Sequence, residues 1–344
     1  MHNEERRMLP VRKYWIDFLR VISVMGVVCI HCTVEYYMRF GIISDRNWWI
    51  ANVVNACSRF SVPMFVMISG CVLLGKVRDI KSFYRERTSR LIPPFLVWNI
   101  FYLLINYVNG GEIWKIIKDT ILMGHAYYHL WYLTMFVFLM LFAPFLNSFV
   151  HGERPSNSGL LILICVIFTL YFLRWFSDLF ASGDIHWFIE FIYFMGYFLG
   201  GYVADQVIIR KGNLTRLMIA IIAFFSALAI VGNYISCKYF GINMDWFVAS
   251  NWSPIVAPIC FALFIAVKQS DRLLPRSKLL DSLGEASFGI FLIHPFWLWI
   301  LNGIFPRRFS YGTKYMLVSI PVVFIASYLS IFIIRKSSLG RRIC

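Results

Sequence analysis

Residues 14–34 read YWIDFLRVISVMGVVCIHCTV, an apolar run of the length that a helix needs to cross a bilayer, about 20 residues. It is interrupted by Asp17, Arg20 and His31. A basic segment precedes it, as in a secretory leader, but no small-x-small cleavage site follows. The run therefore reads as a retained first span. The rest of the chain has the same character. Of 344 residues, 59% are hydrophobic, 18% aromatic and only 15% charged, and the mean hydropathy is +0.67. Soluble domains carry about 25% charge, so this chain lacks the polar groups to cover a water-facing surface. The same composition excludes disordered, fibrous and disulfide-framework secreted proteins.

The expected fold is all-α, a polytopic membrane bundle of about ten transmembrane helices near 14–34, 48–75, 91–108, 129–149, 159–176, 185–207, 214–233, 251–268, 280–302 and 314–334. Residues 1–344 form one integral-membrane domain, with tails at 1–13 and 335–344 flanking the helices of 14–334. Net charge is +15, which raises the question of nucleic acid. The placement of the charge answers it. With span-end residues counted to the adjoining loop and the N-terminus placed in the cytoplasm, inside segments hold 22 Lys/Arg and outside loops 9, with Arg20 and Arg59 inside spans. The excess is positive-inside topology, both termini are expected in the cytoplasm, and no nucleic-acid partner is expected. Residues 112–123, with Ile113, Ile116, Ile117 and Ile121 against Lys115 and Lys118, read as a short interfacial helix outside.

Intramembrane charges are costly and so mark function by default. Asp17, Arg20, His31 and Glu35 fall on one stripe of the first span. Eleven residues separate Arg20 from His31, which leaves them about 20° apart around the helix and about 16 Å apart along it. Asp17 and Glu35 stand at neighbour spacings of three and four. A snorkelling Asp17–Arg20 pair and a satisfied buried imidazole at His31 are the structural alternative. Arg59, midway along the second span, is either a counter-ion to Asp17 or Glu35 or a substrate contact. Pro63 and Ser69-Gly70 break or thin that helix, or allow close packing. Arg87 and Arg90, three apart at the mouth of the third span, are positive-inside anchors or paired guanidinium forks for a phosphorylated cytosolic ligand. His129 and Trp131 end the fourth span, where an aromatic belt competes with acceptor contact or pore lining. His294 precedes Pro295, and a helix break there needs polar partners in any case. Trp187, Trp252 and Trp297 read as interface anchors or packing. The cysteines sit mostly within spans as small apolar residues, and Cys29-Ile30-His31-Cys32 lacks the second pair that a metal or redox site needs.

These residues carry a resemblance. The chain resembles the acyltransferase-3 family of integral-membrane acyltransferases, which O-acetylate cell-surface sugars. The family's Arg-x10-His signature falls on Arg20 and His31, and its Arg-x-x-Arg signature on Arg87 and Arg90. Similarity continues through Tyr14-Trp15-Ile16-Asp17, Ser58–Gly70, His129-Leu130-Trp131-Tyr132-Leu133 and Ser287–Pro295. The opening stretch is most similar to the enterobacterial common antigen O-acetyltransferase type, in the stand-alone form without the hydrolase-like domain that many relatives carry.

The resemblance implies a bacterial inner-membrane, multi-pass acyltransferase. Acetyl-CoA would be the co-substrate, with no permanently bound cofactor and no metal. The acceptor would be a hydroxyl of a cell-surface polysaccharide, such as O-antigen, or of its lipid-linked precursor. Arg87, Arg90 and Asp17 would serve the donor. His31 would act as general base or acyl relay, Glu35 would set its tautomer and steady the imidazolium, and Arg20 would meet donor phosphate or balance charge with Asp17. Arg59, His129, Trp131 and His294 are candidates for acceptor contact or pore lining. Two other classes compete. A secondary transporter would show paired inverted repeats with matching broken helices, and none is visible. A scaffold or sensor would not need arginine and histidine aligned on one stripe.

The charge asymmetry makes a testable statement. A reporter active only in the periplasm, fused to Cys344, should give no signal; strong activity there would require an odd number of spans.

Overall fold

The computed structural model describes residues 13–75, 79–151, 191–207, 214–241 and 253–344, with Ile164, Val248, Ser250 and Asn251 besides. Among them every regular element is helical: α1 Tyr14–Tyr37, α2 Asp45–Ser58, α3 Ser61–Leu73, α4 Ile80–Val108, α5 Ile113–Met123, and a 3-10 turn Tyr128–Leu130 leading into α6 Trp131–His151. There follow α7 Phe191–Gln206, α8 Leu214–Phe240, α9 Val256–Gln269, α10 Lys278–Ile304, a single turn α11 Arg308–Tyr311, α12 Thr313–Ile334 and a final turn α13 Gly340–Ile343. Seven of the described segments are long and apolar enough to cross a membrane, α2 and α3 counting together. Apart from Ile164, the expected span 159–176 lies outside the described residues, as do Trp187, Trp252 and Cys165, and of the expected span 185–207 the described part is 191–207. Helix α9 is apolar but short. It starts after Ser253-Pro254, where the Ser253 hydroxyl accepts from the Ile255 amide at 3.2 Å.

Helix α1 is the centre of the bundle. It packs against α2, α3, α9, α10 and α12, and 61% of its apolar stretch is buried, against 11% for α8. Leu217, Ile219, Phe224, Leu228 and Val231 of α8 point outward, as the face of a lipid-exposed helix should. Where α3 meets α7 the backbones themselves approach. A Cβ on Gly70 would overlap the carbonyl oxygen of Phe198, and one on Gly201 the carbonyl oxygen of Met67. Small residues are what permit such packing between apolar helices.

One expected break is present, and one helix starts earlier than expected. The second span is two helices, interrupted at Arg59-Phe60. Pro63 has no N–H for the Arg59 carbonyl four residues earlier, and its ring crowds that oxygen. The break therefore falls at the charged residue and not at Ser69-Gly70. Helix α4, expected from residue 91, starts at Ile80 because Asp79 caps it, accepting from the amides of Ser82 at 2.7 Å and Lys81 at 3.3 Å. Those bonds, that from Ser82 foremost, hold the Asp79 carboxyl below the usual carboxylate range. Arg87 and Arg90 consequently stand on a helix and share its face. The expected interfacial helix is present as α5, with Trp114, Lys115 and Lys118 outward, and it ends at Gly124, whose φ of 72° suits glycine.

Polar contacts between distant segments sort by end. Lys13 and Lys268 both reach Asp205, at 3.3 and 3.4 Å, and Asp271 accepts from the Trp15 amide at 3.1 Å. Arg335 meets Glu285 at 3.1 Å, and Trp98 donates to Ile343 O at 2.8 Å. At the other end Tyr36 donates to Arg308 O at 2.8 Å, and Asn47 accepts from Thr313. Each pair joins residues that the charge pattern placed on one side, which is the alternation an up-and-down bundle requires.

The α3–α7 contact predicts a steric cost. Gly201→Val should destabilise the bundle by about 1–3 kcal/mol, the usual penalty of overpacking. Gly303→Ala, at a position where a Cβ meets nothing within 4 Å, should be close to neutral. Thermal unfolding of both variants in detergent checks the pair.

Candidate active site

A cavity of about 1000 Å³ opens at the end of the bundle that holds Asp205, Asp271 and the C-terminal turn. Its charged wall is arginine: Arg20 from α1, Arg87 and Arg90 from α4, Arg341 and Arg342 from the C-terminal segment. Arg20 Nη1 lies 3.1 Å from Asp17 Oδ1, and Gly284 of α10 leaves room for the Asp17 side chain. Glu86 lies 2.8 Å from Arg90 and 3.4 Å from Arg87. It cannot saturate both forks, and Arg87 Nε is buried with no partner among the described residues. Trp98 ties the C-terminal turn to α4, while Arg341 donates to the carbonyls of Arg335 and Lys336. Cys344 also lines the cavity, but burial pushes its thiol up to about 11, so at neutral pH it is not a thiolate. The space suits an anion with a slender apolar extension, because deeper in its walls are Phe65, Ile68, Tyr132 and Phe291.

Past Tyr132 and Phe291, whose rings stand edge to face at 5.2 Å, lies a cluster of three histidines. His129 is 5.5 Å from Phe291, ring to ring. His294 is 5.1 Å from His31 and 5.5 Å from His129, and Tyr128 covers the other side of His31 at 4.9 Å. Pro295 explains the arrangement. It cannot donate to Phe291 O, and a proline inside a helix leaves carbonyls that side chains must satisfy. His294 Nδ1 takes Phe291 O at 2.7 Å. The next carbonyl, Leu292 O, accepts from Tyr102 Oη at 2.8 Å and His129 Nε2 at 3.2 Å. A carbonyl only accepts, so His294 carries its proton on Nδ1 and His129 on Nε2. The opposite nitrogens, His294 Nε2 and His129 Nδ1, are buried lone pairs without a partner among the described residues. Among those residues no His, Cys, Asp and Glu cluster has metal-binding geometry.

The structure thus gathers His31, His129 and His294 at mid-depth, and Arg20, Arg87 and Arg90 at the cavity mouth. Asp17 does not line the cavity but pairs with Arg20, which does. Glu35 is a correction: its carboxylate does not reach His31 but takes Arg308, at 2.7 Å to Nη2 and 3.0 Å to Nε. One helical turn puts Glu35 beside His31 in projection, yet the single turn α11 brings a guanidinium that offers two donors. Arg59, for which the sequence leaves a counter-ion to Asp17 or Glu35 and a substrate contact as alternatives, sits at the break between α2 and α3. Buried, it donates from Nε to Asn55 Oδ1 at 2.8 Å. Trp131 packs on Phe194 at 5.7 Å, and its neighbour Tyr132 lines the cavity instead. Trp297 donates to Ser330 of α12 at 3.0 Å. Arg341, Arg342, Tyr128 and Arg308 were not foreseen. Adjacent basic residues after the last span gave only a topology signal.

The acyltransferase-3 family model, described as an acyltransferase domain, matches residues 13–335, and the chain belongs to that family. It is a membrane acyltransferase. No curated protein and no solved structure matches it significantly.

The Glu35–Arg308 pair can be measured. Its side chains are 45% and 20% exposed, so a double-mutant cycle of Glu35→Gln and Arg308→Gln should give a coupling of about 0.2–1 kcal/mol in thermal unfolding. Zero coupling would mean that Glu35 has no stabilising link to Arg308.

Proposed function

We propose that this acyltransferase moves an acetyl group from cytosolic acetyl-CoA to a sugar hydroxyl of a cell-surface polysaccharide or its lipid-linked precursor, at the bacterial inner membrane. The observation that carries the reading is the arginine-walled cavity that runs inward to a pair of rings, Tyr132 and Phe291, with unpartnered imidazole nitrogens just behind them. Coenzyme A fits that wall in kind. Its phosphates would face the guanidinium groups of Arg20, Arg87, Arg90, Arg341 and Arg342, and its pantetheine arm would lie along the apolar inner wall. The thioester then comes to the depth of His31, about 16 Å along α1 from Arg20.

At that depth His31 takes the proton of the acceptor hydroxyl as the oxygen attacks the thioester carbonyl, and the thiolate leaves. The acceptor would approach from the end where Glu35, Arg308 and the exposed edge of Tyr128 lie. Sugars favour such mixtures of aromatic faces and charged hydrogen-bonding groups. Both termini then face the cytoplasm, on the donor side. Within this reading, similarity of the opening stretch to the enterobacterial common antigen type points to that polysaccharide as the first acceptor to try.

His31→Gln keeps polarity and approximate size but cannot take a proton at neutral pH. It should reach normal abundance, still bind coenzyme A, and lose about 10²–10⁴-fold of acetyl transfer. Arg87→Ala with Arg90→Ala should instead weaken coenzyme A binding, each lost charge-assisted bond being worth about 1.5–3 kcal/mol. Mass spectrometry of surface glycans with and without the chain names the acceptor. Normal acetylation by His31→Gln would remove this mechanism.

A further inference from the structure

We infer that His294 is the second imidazole of the transfer: its Nε2 receives the proton that His31 draws from the acceptor hydroxyl, so that the two rings work as one relay. The inference rests on the reading of His31 given above and assigns a role to a residue on another helix. Three observations carry it. His294 is fully buried, and its Nε2 has no partner among the described residues. Buried polar groups are nearly always satisfied, so a lone pair left open at the centre of a bundle marks a place where a donor arrives during work. Its tautomer is fixed, because Nδ1–H is held by Phe291 O at 2.7 Å, and that carbonyl is open because Pro295 cannot donate to it. Nε2 is therefore always the accepting nitrogen in the neutral ring. Finally, His294 stands between the other two rings, 5.1 Å from His31 and 5.5 Å from His129.

The step balances. The acceptor O–H bond breaks while its oxygen bonds to the thioester carbonyl carbon. The proton passes to one nitrogen of His31, and the proton on the other nitrogen of His31 passes to His294 Nε2. The C–S bond breaks, the thiolate leaves with the electron pair, and a proton returned through the two rings makes the free thiol. His294 regains its neutral Nδ1–H form, still held by Phe291 O. The proline thus has a use beyond bending α10, since it keeps the second ring in the one tautomer that can accept.

Two substitutions separate relay from packing. Asn at position 294 can keep an N–H on Phe291 O and has no nitrogen lone pair to accept a proton. Ala at position 295 restores the backbone donor to Phe291 O, which competes with His294 Nδ1–H and releases the tautomer, while making the helix more regular. The assay uses membrane vesicles from cells that naturally carry the chain, with each variant replacing the native gene. Radiolabelled acetyl-CoA is the donor, and label retained in the glycan fraction is the readout. His294→Asn should lower kcat on the order of 10²-fold with the KM for acetyl-CoA unchanged, and Pro295→Ala should lower kcat several-fold in the same way. If both keep near-normal kcat while His31→Gln is inactive, His294 is structural and the reading of His31 stands. Should His294→Asn not accumulate, Pro295→Ala decides alone, since a proline that only bends the helix would be replaced without loss of kcat. Near-normal transfer by His31→Gln would overturn the reading and the relay together, as would absence of label with the wild-type chain.

Discussion

Asp17 and Arg20 lie one turn apart on α1 and are joined at 3.1 Å, inside a helix that packs on five others. An ionic group in such surroundings persists only when paired or held against a polar space. Here the pair has both. Asp17 is buried beneath Gly284, where a larger residue would strike its side chain, and Arg20 turns its remaining donors into the cavity. The lack of a side chain at Gly284 lets α10 come close to α1 over Asp17. That approach in turn brings His294 to His31.

Broken helices supply the rest of the polar interior. Pro63 opens the ladder at Arg59, and Pro295 opens it at Phe291 and Leu292. In water the freed carbonyls would be solvated. In an apolar bundle they must be met by side chains, and at α10 those side chains are His294, His129 and Tyr102. Meeting the backbone uses one nitrogen of each imidazole and leaves the other open. A structural need, satisfying two carbonyls, thereby fixes the protonation pattern of two groups suited to moving protons.

The two ends of the molecule differ in kind. Five arginines from three stretches of sequence surround the cavity at one end. At the other, Glu35 and Arg308 form a half-exposed pair beside Tyr36. An acyl transfer between an anionic soluble donor and a membrane-side acceptor needs such separate approaches to one mid-depth point, with little water between them. The edge-to-face rings of Tyr132 and Phe291 stand between the cavity and the histidines.

The sequence by itself determined the helical class, the order of most spans, the alignment of Arg20 with His31 and the pairing of Arg87 with Arg90. These follow from local periodicity: a helix turns 100° per residue wherever its neighbours lie. It also marked Pro295 as a break in need of partners and His294 as a candidate. It did not reveal that Glu35 would be taken by Arg308, 273 residues on, or that Arg341 and Arg342 would close the cavity. Nor did it show that His31 would face His294 rather than its own helical neighbour. Periodicity says which residues share a face, whereas partners on different helices depend on how the helices cross and how near their small residues let them come. Those quantities exist only once the bundle is packed, and for that reason the tertiary structure alone decided which groups meet His31.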